Sequence, residues 1–306
     1  MHNTLKSFFF AVYYIINTLM QMNKIVTIKK LHYHYDTYKT VLKDLDLSID
    51  FGKIYVLAGQ NGAGKSTLFK LMQGLIFKEK GSIDVLGFRP EQRHPDMLAS
   101  VYLVTDNMYL PKTEIEALPD KLGFYYPAFD KDVFEQCLAD FNLSKLKKTY
   151  GLSQGEKKKL VLAFGFATQV PLLLLDEPTN ALDIDSKNAL RKMINRWISP
   201  QRTCIIATHQ IREIDVLIDH FLIMSDKQIK LDAAMPQILD ILHFGLEREL
   251  PTSNDVLYFE KHPTGYETIY LARDDQDSLD VNFELLYNAF MSKKEQFYKI
   301  FQKSLS

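Results

Sequence analysis

The chain has 306 residues, 46% of them hydrophobic and 25% charged, with a formal net charge of −1 at pH 7. That is an ordinary globular composition, long enough for one large domain and a small one, and it predicts no attraction to nucleic acid or to an anionic membrane surface. Two cysteines, Cys137 and Cys204, stand outside any C-x-x-C motif and read as core thiols of a reducing compartment, which argues against a disulfide framework or a zinc site.

Phe8 to Met20 is a 13-residue apolar stretch interrupted by Asn17. It falls short of the roughly 20 residues that cross a bilayer. Lys6 before it gives a faint likeness to a signal peptide, but no small-x-small cleavage site follows. Met22 directly precedes domain-like alternation. Residues 1–22 are therefore expected to be an extension that is not translated, with a membrane-surface helix as the second reading.

Residues 24–58 alternate apolar and polar positions, as half-buried antiparallel strands do. Lys53 to Ala58 is an apolar run of buried-strand length. Gly59-Gln60-Asn61-Gly62-Ala63-Gly64-Lys65-Ser66-Thr67 follows, and Leu68 to Met72 reads as a helix. The loop fits the phosphate-binding pattern G-x-x-x-x-G-K-[ST], in the strand–loop–helix context that the motif needs. Gly59, Gly62 and Gly64 are expected to supply positive φ angles and close backbone approach. Lys65 is expected at the β- and γ-phosphates of a nucleoside triphosphate, and Ser66 on Mg2+.

Short strands are expected at Ser82–Leu86 and Val101–Val104. Residues 112–169 turn helical and charged, with apolar helical spacing over 132–141 and 154–168. Strands return at Leu172–Leu175, Thr203–Thr208 and Phe221–Met224, separated by helical patterns around 186–198 and 211–218. Such alternation implies a parallel sheet covered on both faces. The fold class is therefore α/β, with one domain over 24–232 that contains a helical insertion at about 112–169. Beyond Met235-Pro236 a small α+β domain is expected over 236–306. It has strands at Val256–Phe259 and Glu267–Leu271, a hairpin turn at His262-Pro263-Thr264-Gly265, and one helix over 282–301.

Leu172 to Pro178 is an apolar strand ending in two acids. Asp176 fits a metal ligand, and Glu177 a group that polarises an attacking water. Ser153 with Glu156 three residues on is a capping box before a helical run. His209 sits where a strand ends, which alone says little.

Together these pieces resemble the ATP-binding subunits of ABC transporters over residues 24–232. Gly59–Thr67 is similar to their Walker A loop. Leu152-Ser153-Gln154-Gly155-Glu156 is similar to the LSGGQ signature, departing at Gln154 and Glu156. Leu172–Glu177 is similar to Walker B with its catalytic glutamate, and Asn180-Ala181-Leu182-Asp183 to the D-loop. The resemblance implies a P-loop NTPase of ABC ATPase type with an antiparallel β subdomain and a helical subdomain. It also implies ATP and Mg2+ as cofactors, His209 as the switch histidine, and Tyr35, with Tyr33 as the fallback, stacked on adenine. Ser153 and Gly155 are then expected to act across a homodimer or heterodimer of ATP-binding subunits. The chain is expected to lie on the cytoplasmic face of the membrane, bound to a permease and to no nucleic acid.

The glutamine expected after Val101–Val104 is replaced by Thr105-Asp106-Asn107. Asp106 is the candidate substitute, as a water-mediated metal contact. Asp280 to Phe290 is similar to a segment that ends some ATP-binding subunits of ABC-2-type exporters. The alternatives are a non-transport ABC ATPase acting on ribosomes or DNA, and a nucleotide-sensing subunit of a heterodimer.

Overall fold

The computed structural model describes residues 24–36, 39–106, 108–214, 218–253, 255–272 and 280–303. The N-terminal extension and Asn107 lie outside the described residues. β1 (Lys24–His34), β2 (Thr40–Asp50) and β4 (Lys80–Val85) form an antiparallel sheet in the order β2-β1-β4. A second sheet runs β5-β6-β7-β3-β8-β9, built from β3 (Ile54–Ala58), β5 (Val101–Val104), β6 (Leu172–Asp176), β7 (Thr203–Thr208), β8 (His220–Ser225) and β9 (Gln228–Ala234). All its pairings are parallel except β8 with β9.

The parallel strands read as unbroken apolar runs because both of their faces are buried. Alternate residues of β3 show it. Ile54, Val56 and Ala58 join the core beneath α2 (Lys131–Asp140), α3 (Gln154–Ala167) and α4 (Ile184–Trp197). Tyr55 and Leu57 join the opposite core, shared with α1 (Lys65–Met72) and the antiparallel sheet. Cys137 and Cys204 are buried and free, and burial pushes each thiol up to about 12.

Elements were legible where periodicity was strong. The expected strands at 101–104 and 203–208 match residue for residue, and those at 82–86, 172–175 and 221–224 are present with shifted ends. Three regions differ from expectation. The helical pattern at 211–218 is a single 3-10 turn, Ile211–Glu213, after which Ile214 leaves helical geometry; residues 215–217 lie outside the described residues. The strand β9, the short helix α5 (Met235–Ile241) and β10 (Leu242–Glu247) were not expected, since none has a period clear enough to separate strand from helix.

Third, the single helix expected over 282–301 is two: α6 (Phe283–Ser292) and α7 (Lys294–Lys303). The apolar spacing runs on through Phe290, Phe297 and Phe301, so the sequence reads as one helix. Lys293 interrupts it at φ −128°, ψ 47°, where its Nζ donates to the Leu257 carbonyl at 2.6 Å. That carbonyl belongs to β11 (Val256–His262), which pairs with β12 (Gly265–Leu271) in the antiparallel sheet β10-β12-β11.

The C-terminal elements share the core beneath α2–α4: Phe290, Phe297 and Phe301 belong to the same buried cluster as Val56 and Leu173. Phe283 of α6 meets Phe221 of β8 at 5.0 Å between ring centroids. Phe290→Ala should therefore cost about 3–5 kcal/mol of stability. The check is urea unfolding followed by Trp197 fluorescence, since that indole lies in α4, well away from α6 in sequence. A midpoint equal to that of the parent chain would show that α6 contributes nothing to the main core.

Candidate functional site

Strands β6, β7 and β3 are consecutive in the sheet and parallel. Their carboxyl ends therefore open on one edge, where open α/β sheets bind ligands. From β3 comes the loop 59–64, from β6 the pair Asp176-Glu177, and from β7 His209. The loop bends as two of its glycines permit: Gly62 has φ 81° and Gly64 φ 112°. Gly59 is not among the positive-φ glycines. It is small for another reason, since a Cβ there would meet the Met224 carbonyl oxygen at 2.8 Å. Lys65 opens α1 and is buried, with Nζ donating to the carbonyls of Gly59 at 2.7 Å and Gln60 at 3.3 Å. The first turn of α1 carries no acidic residue, so its positive dipole end is uncompensated.

Glu177 is the hub. Its Oε1 lies 3.4 Å from Lys65 Nζ and 2.9 Å from His209 Nδ1, and its Oε2 accepts the His209 backbone N–H at 3.3 Å. Its backbone is left-handed, φ 45°, a strain of about 1–3 kcal/mol of the kind found at functional sites. A bond from its N–H to the Ala207 carbonyl at 2.9 Å ties it to β7.

Asp176 is buried, and its Oδ1 has no hydrogen-bond partner. Burial holds its carboxyl above the ordinary range. The Ser66 hydroxyl opposes that rise by hydrogen bonding, and the charge of neighbouring Glu177 adds to it. An orphaned anionic oxygen beside a hydroxyl is a hard oxygen donor set that suits Mg2+.

Ser153 caps α3 through the expected capping box: its hydroxyl accepts the Glu156 N–H at 3.2 Å and the Glu156 carboxylate accepts the Ser153 N–H at 3.0 Å. The Lys147 ammonium also pairs with Glu156 and, with that N–H, holds its carboxyl down to about 2. Ser153 and Gln154 remain exposed. Gly155 must be small, because a Cβ there would meet the Ala181 carbonyl oxygen at 2.7 Å. Asp183 caps α4 by accepting the Ser186 N–H at 2.8 Å, and Lys159 Nζ approaches it at 3.3 Å.

Tyr35, the tyrosine expected at adenine, is 52% exposed and its hydroxyl bonds Thr67 Oγ1 at 3.1 Å, while the fallback Tyr33 is buried. One position differs from expectation. Asp106, expected to contact a metal through water, instead has Lys158 Nζ on Oδ1 at 2.6 Å and Asn180 Nδ2 on Oδ2 at 3.4 Å. Sequence reasoning missed Lys158. The available signal was a charge three and four residues before Val161 and Leu162, on the buried face of α3.

A cleft of about 650 Å³ opens between α3, β5 and the segment 108–127. Its lining is mainly apolar and aromatic, and Tyr109, Phe124 and Tyr125 are exposed at its rim.

Residues 42–180 match the family described as ABC transporter. The chain is similar to the ABC transporter ATP-binding protein YtrB of Bacillus subtilis (strain 168), 31% identical over 191 residues, covering 62% of this chain and 65% of that protein. It is 31% identical over 234 residues to the methionine import ATP-binding protein MetN of Protochlamydia amoebophila (strain UWE25), 71% of this chain and 68% of that one. A putative ABC transporter ATP-binding protein of Caldanaerobacter subterraneus subsp. tengcongensis is 32% identical over 218 residues, 67% of this chain and 90% of its own length. Among solved structures, an ATP-binding subunit of an ABC transporter superposes with TM-score 0.62 at 24% identity, over 70% of this chain and 91% of that one, which shows a common fold. Identity of this extent over most of a relative's length, together with the ordered motifs at one sheet edge, means that the chain belongs to the ATP-binding proteins of the ABC transporter family.

Proposed function

We propose that this chain hydrolyses ATP as the ATP-binding subunit of an ABC transporter and drives a separate membrane permease. The observation that carries this is the Glu177 carboxylate, held between Lys65 and His209 beside the unpartnered oxygen of Asp176. Tyr35 stacks on adenine. The loop residues Gly59, Asn61, Gly62, Ala63 and Gly64, with Lys65, Ser66 and Thr67, take the triphosphate on backbone N–H groups and the α1 dipole. Lys65 leaves its carbonyl partners for the β- and γ-phosphates. Glu177 is then free to accept the proton of the attacking water, and His209 turns from Glu177 to the γ-phosphate. Ser66 and Asp176 would hold Mg2+, which when bound neutralises charge on the phosphates. The unfilled Asp176 oxygen supports that assignment.

Ser153, Gln154, Gly155 and Glu156 close no cage within one chain. The exposure of Ser153 and Gln154 supports their serving a nucleotide on a second ATP-binding subunit, like or unlike, with Asp183 of the D-loop beside them. No helix among the described residues is long and apolar enough to cross a membrane. The aromatic-rimmed cleft beside α3 is the surface we assign to the permease, which keeps the chain on the cytoplasmic face of the membrane. The 24–232 unit carries the chemistry, 112–169 carries the signature and cleft, and 236–306 is an accessory unit of the ABC-2-type exporter kind.

Three variants test this. Glu177→Gln should trap an ATP-bound dimer on size exclusion with turnover lowered about 100-fold or more; rapid turnover refutes the base assignment. Asp176→Asn should raise the melting midpoint of the nucleotide-free chain. Its folded-state pKa lies above the unfolded value, so the stability it contributes is lost as pH rises through that pKa, and at neutral pH the buried charge costs stability. The same variant should lose the thermal shift that MgATP gives the parent chain. Tyr109→Asp with Phe124→Asp should release the chain from membranes while ATP binding persists; retention on membranes would show that the cleft is not the docking surface.

A further inference from the structure

We propose that Lys158 is a positioning residue that ties the signature loop to the metal-binding end of β6, with Asp106 as its counter-ion. The proposal rests on the reading above, in which Ser153 serves a second subunit and Asp176 serves this one.

Lys65 and Lys158 are the buried lysines among the described residues, and Lys65 is accounted for by the phosphate site. Lys158 is 4% exposed. Its Nζ donates to Asp106 Oδ1 at 2.6 Å and to the Asp176 backbone carbonyl at 3.3 Å. Asp106 Oδ2 in turn accepts Asn180 Nδ2 at 3.4 Å. One ammonium thus joins three chain segments, the exit of β5, the start of α3 and the end of β6, and Asp106 adds the turn after β6 through Asn180.

Taking an ammonium out of water costs several kcal/mol, and an apolar side chain packs at such a site as well or better. Burial alone therefore does not call for a lysine here. What the ion pair adds is register, since its bonds are directional where apolar packing is not. Two further contacts act in the same direction. Gly155 packs against the Ala181 carbonyl, and Lys159 pairs with Asp183. Residues 155–159 are thereby fastened to 176–183 along about one and a half helical turns. Ser153 lies just beyond, at the cap of the same helix. A shift of the Asp176 backbone when a nucleotide binds is then passed through Lys158 to the Ser153 hydroxyl offered to the other subunit. Thr105-Asp106 stands where the resemblance expects glutamine, and Asp106 supplies the anion this linkage uses.

The test compares Lys158→Met, Lys158→Arg, and Lys158→Met with Asp106→Leu against the parent chain, in three measurements. Hydrogen exchange on the nucleotide-free chain should show Lys158→Met losing protection over both 153–159 and 177–182, with α1 unchanged. Turnover should fall about tenfold or more in Lys158→Met, through kcat rather than KM for ATP. Lys158→Arg should keep most of it. The double replacement should leave the melting midpoint near that of Lys158→Met and regain no kcat, because the Asp106 carboxylate it removes is 41% exposed and its loss does not restore register. Recovery of kcat in the double replacement would show that the pair only balances charge, and would overturn the proposal. Unchanged exchange over 153–159 in Lys158→Met would overturn it too. A parent chain without ATPase activity would refute the functional reading, while the exchange data would still decide whether Lys158 fastens the loop.

Discussion

The adjacency of β6, β7 and β3 is the constraint on which the rest of the site depends. Parallel strands at about 4.8 Å spacing put their carboxyl ends side by side. An acid, a histidine and a phosphate loop far apart in sequence thereby meet within a few ångströms. Glu177 then bonds at once to Lys65 of one segment and His209 of another. A one-residue slip of β6 would turn Asp176 and Glu177 to opposite faces and undo both contacts. Leu172–Leu175 are alike and buried on both faces, so what opposes that slip is the cost of moving Asp176 into the apolar position of Leu175.

The site is held in tension. Glu177 sits at a positive φ, Asp176 keeps a buried oxygen without a partner, and Lys65 satisfies itself on the carbonyls of its own loop. The first two cost free energy, while the bonds of Lys65 keep its buried ammonium satisfied. The strained and unsatisfied groups gather where ligand binding offsets them, which is how functional sites depart from an otherwise consistent fold.

At Ser153 a helix cap and a proposed ligand role fall on one residue. Ser153 satisfies the orphan N–H groups of α3 through its capping box, and the same geometry leaves its side exposed. Reading it only as a cap, or only as a ligand, would miss that the cap fixes the hydroxyl's direction. The ion pair of the buried Lys158 with the exposed Asp106 extends the logic from the cap to the end of β6.

The sequence by itself determined the phosphate loop, the strand-borne acids, the capping box and most of the parallel strands. These are local: a glycine pattern, an apolar run and a cap are each written within about ten consecutive residues. Tertiary structure decided which tyrosine is exposed, because burial of Tyr33 depends on sheet partners distant in sequence. It also broke the C-terminal helix at Lys293, whose ammonium answers a carbonyl of β11. It gave Asp106 to Lys158 and Asn180, since only packing brings residues 52 and 74 positions away onto one carboxylate. Periodicity says which face of an element is buried; what that face meets is fixed by contacts between segments far apart in the chain.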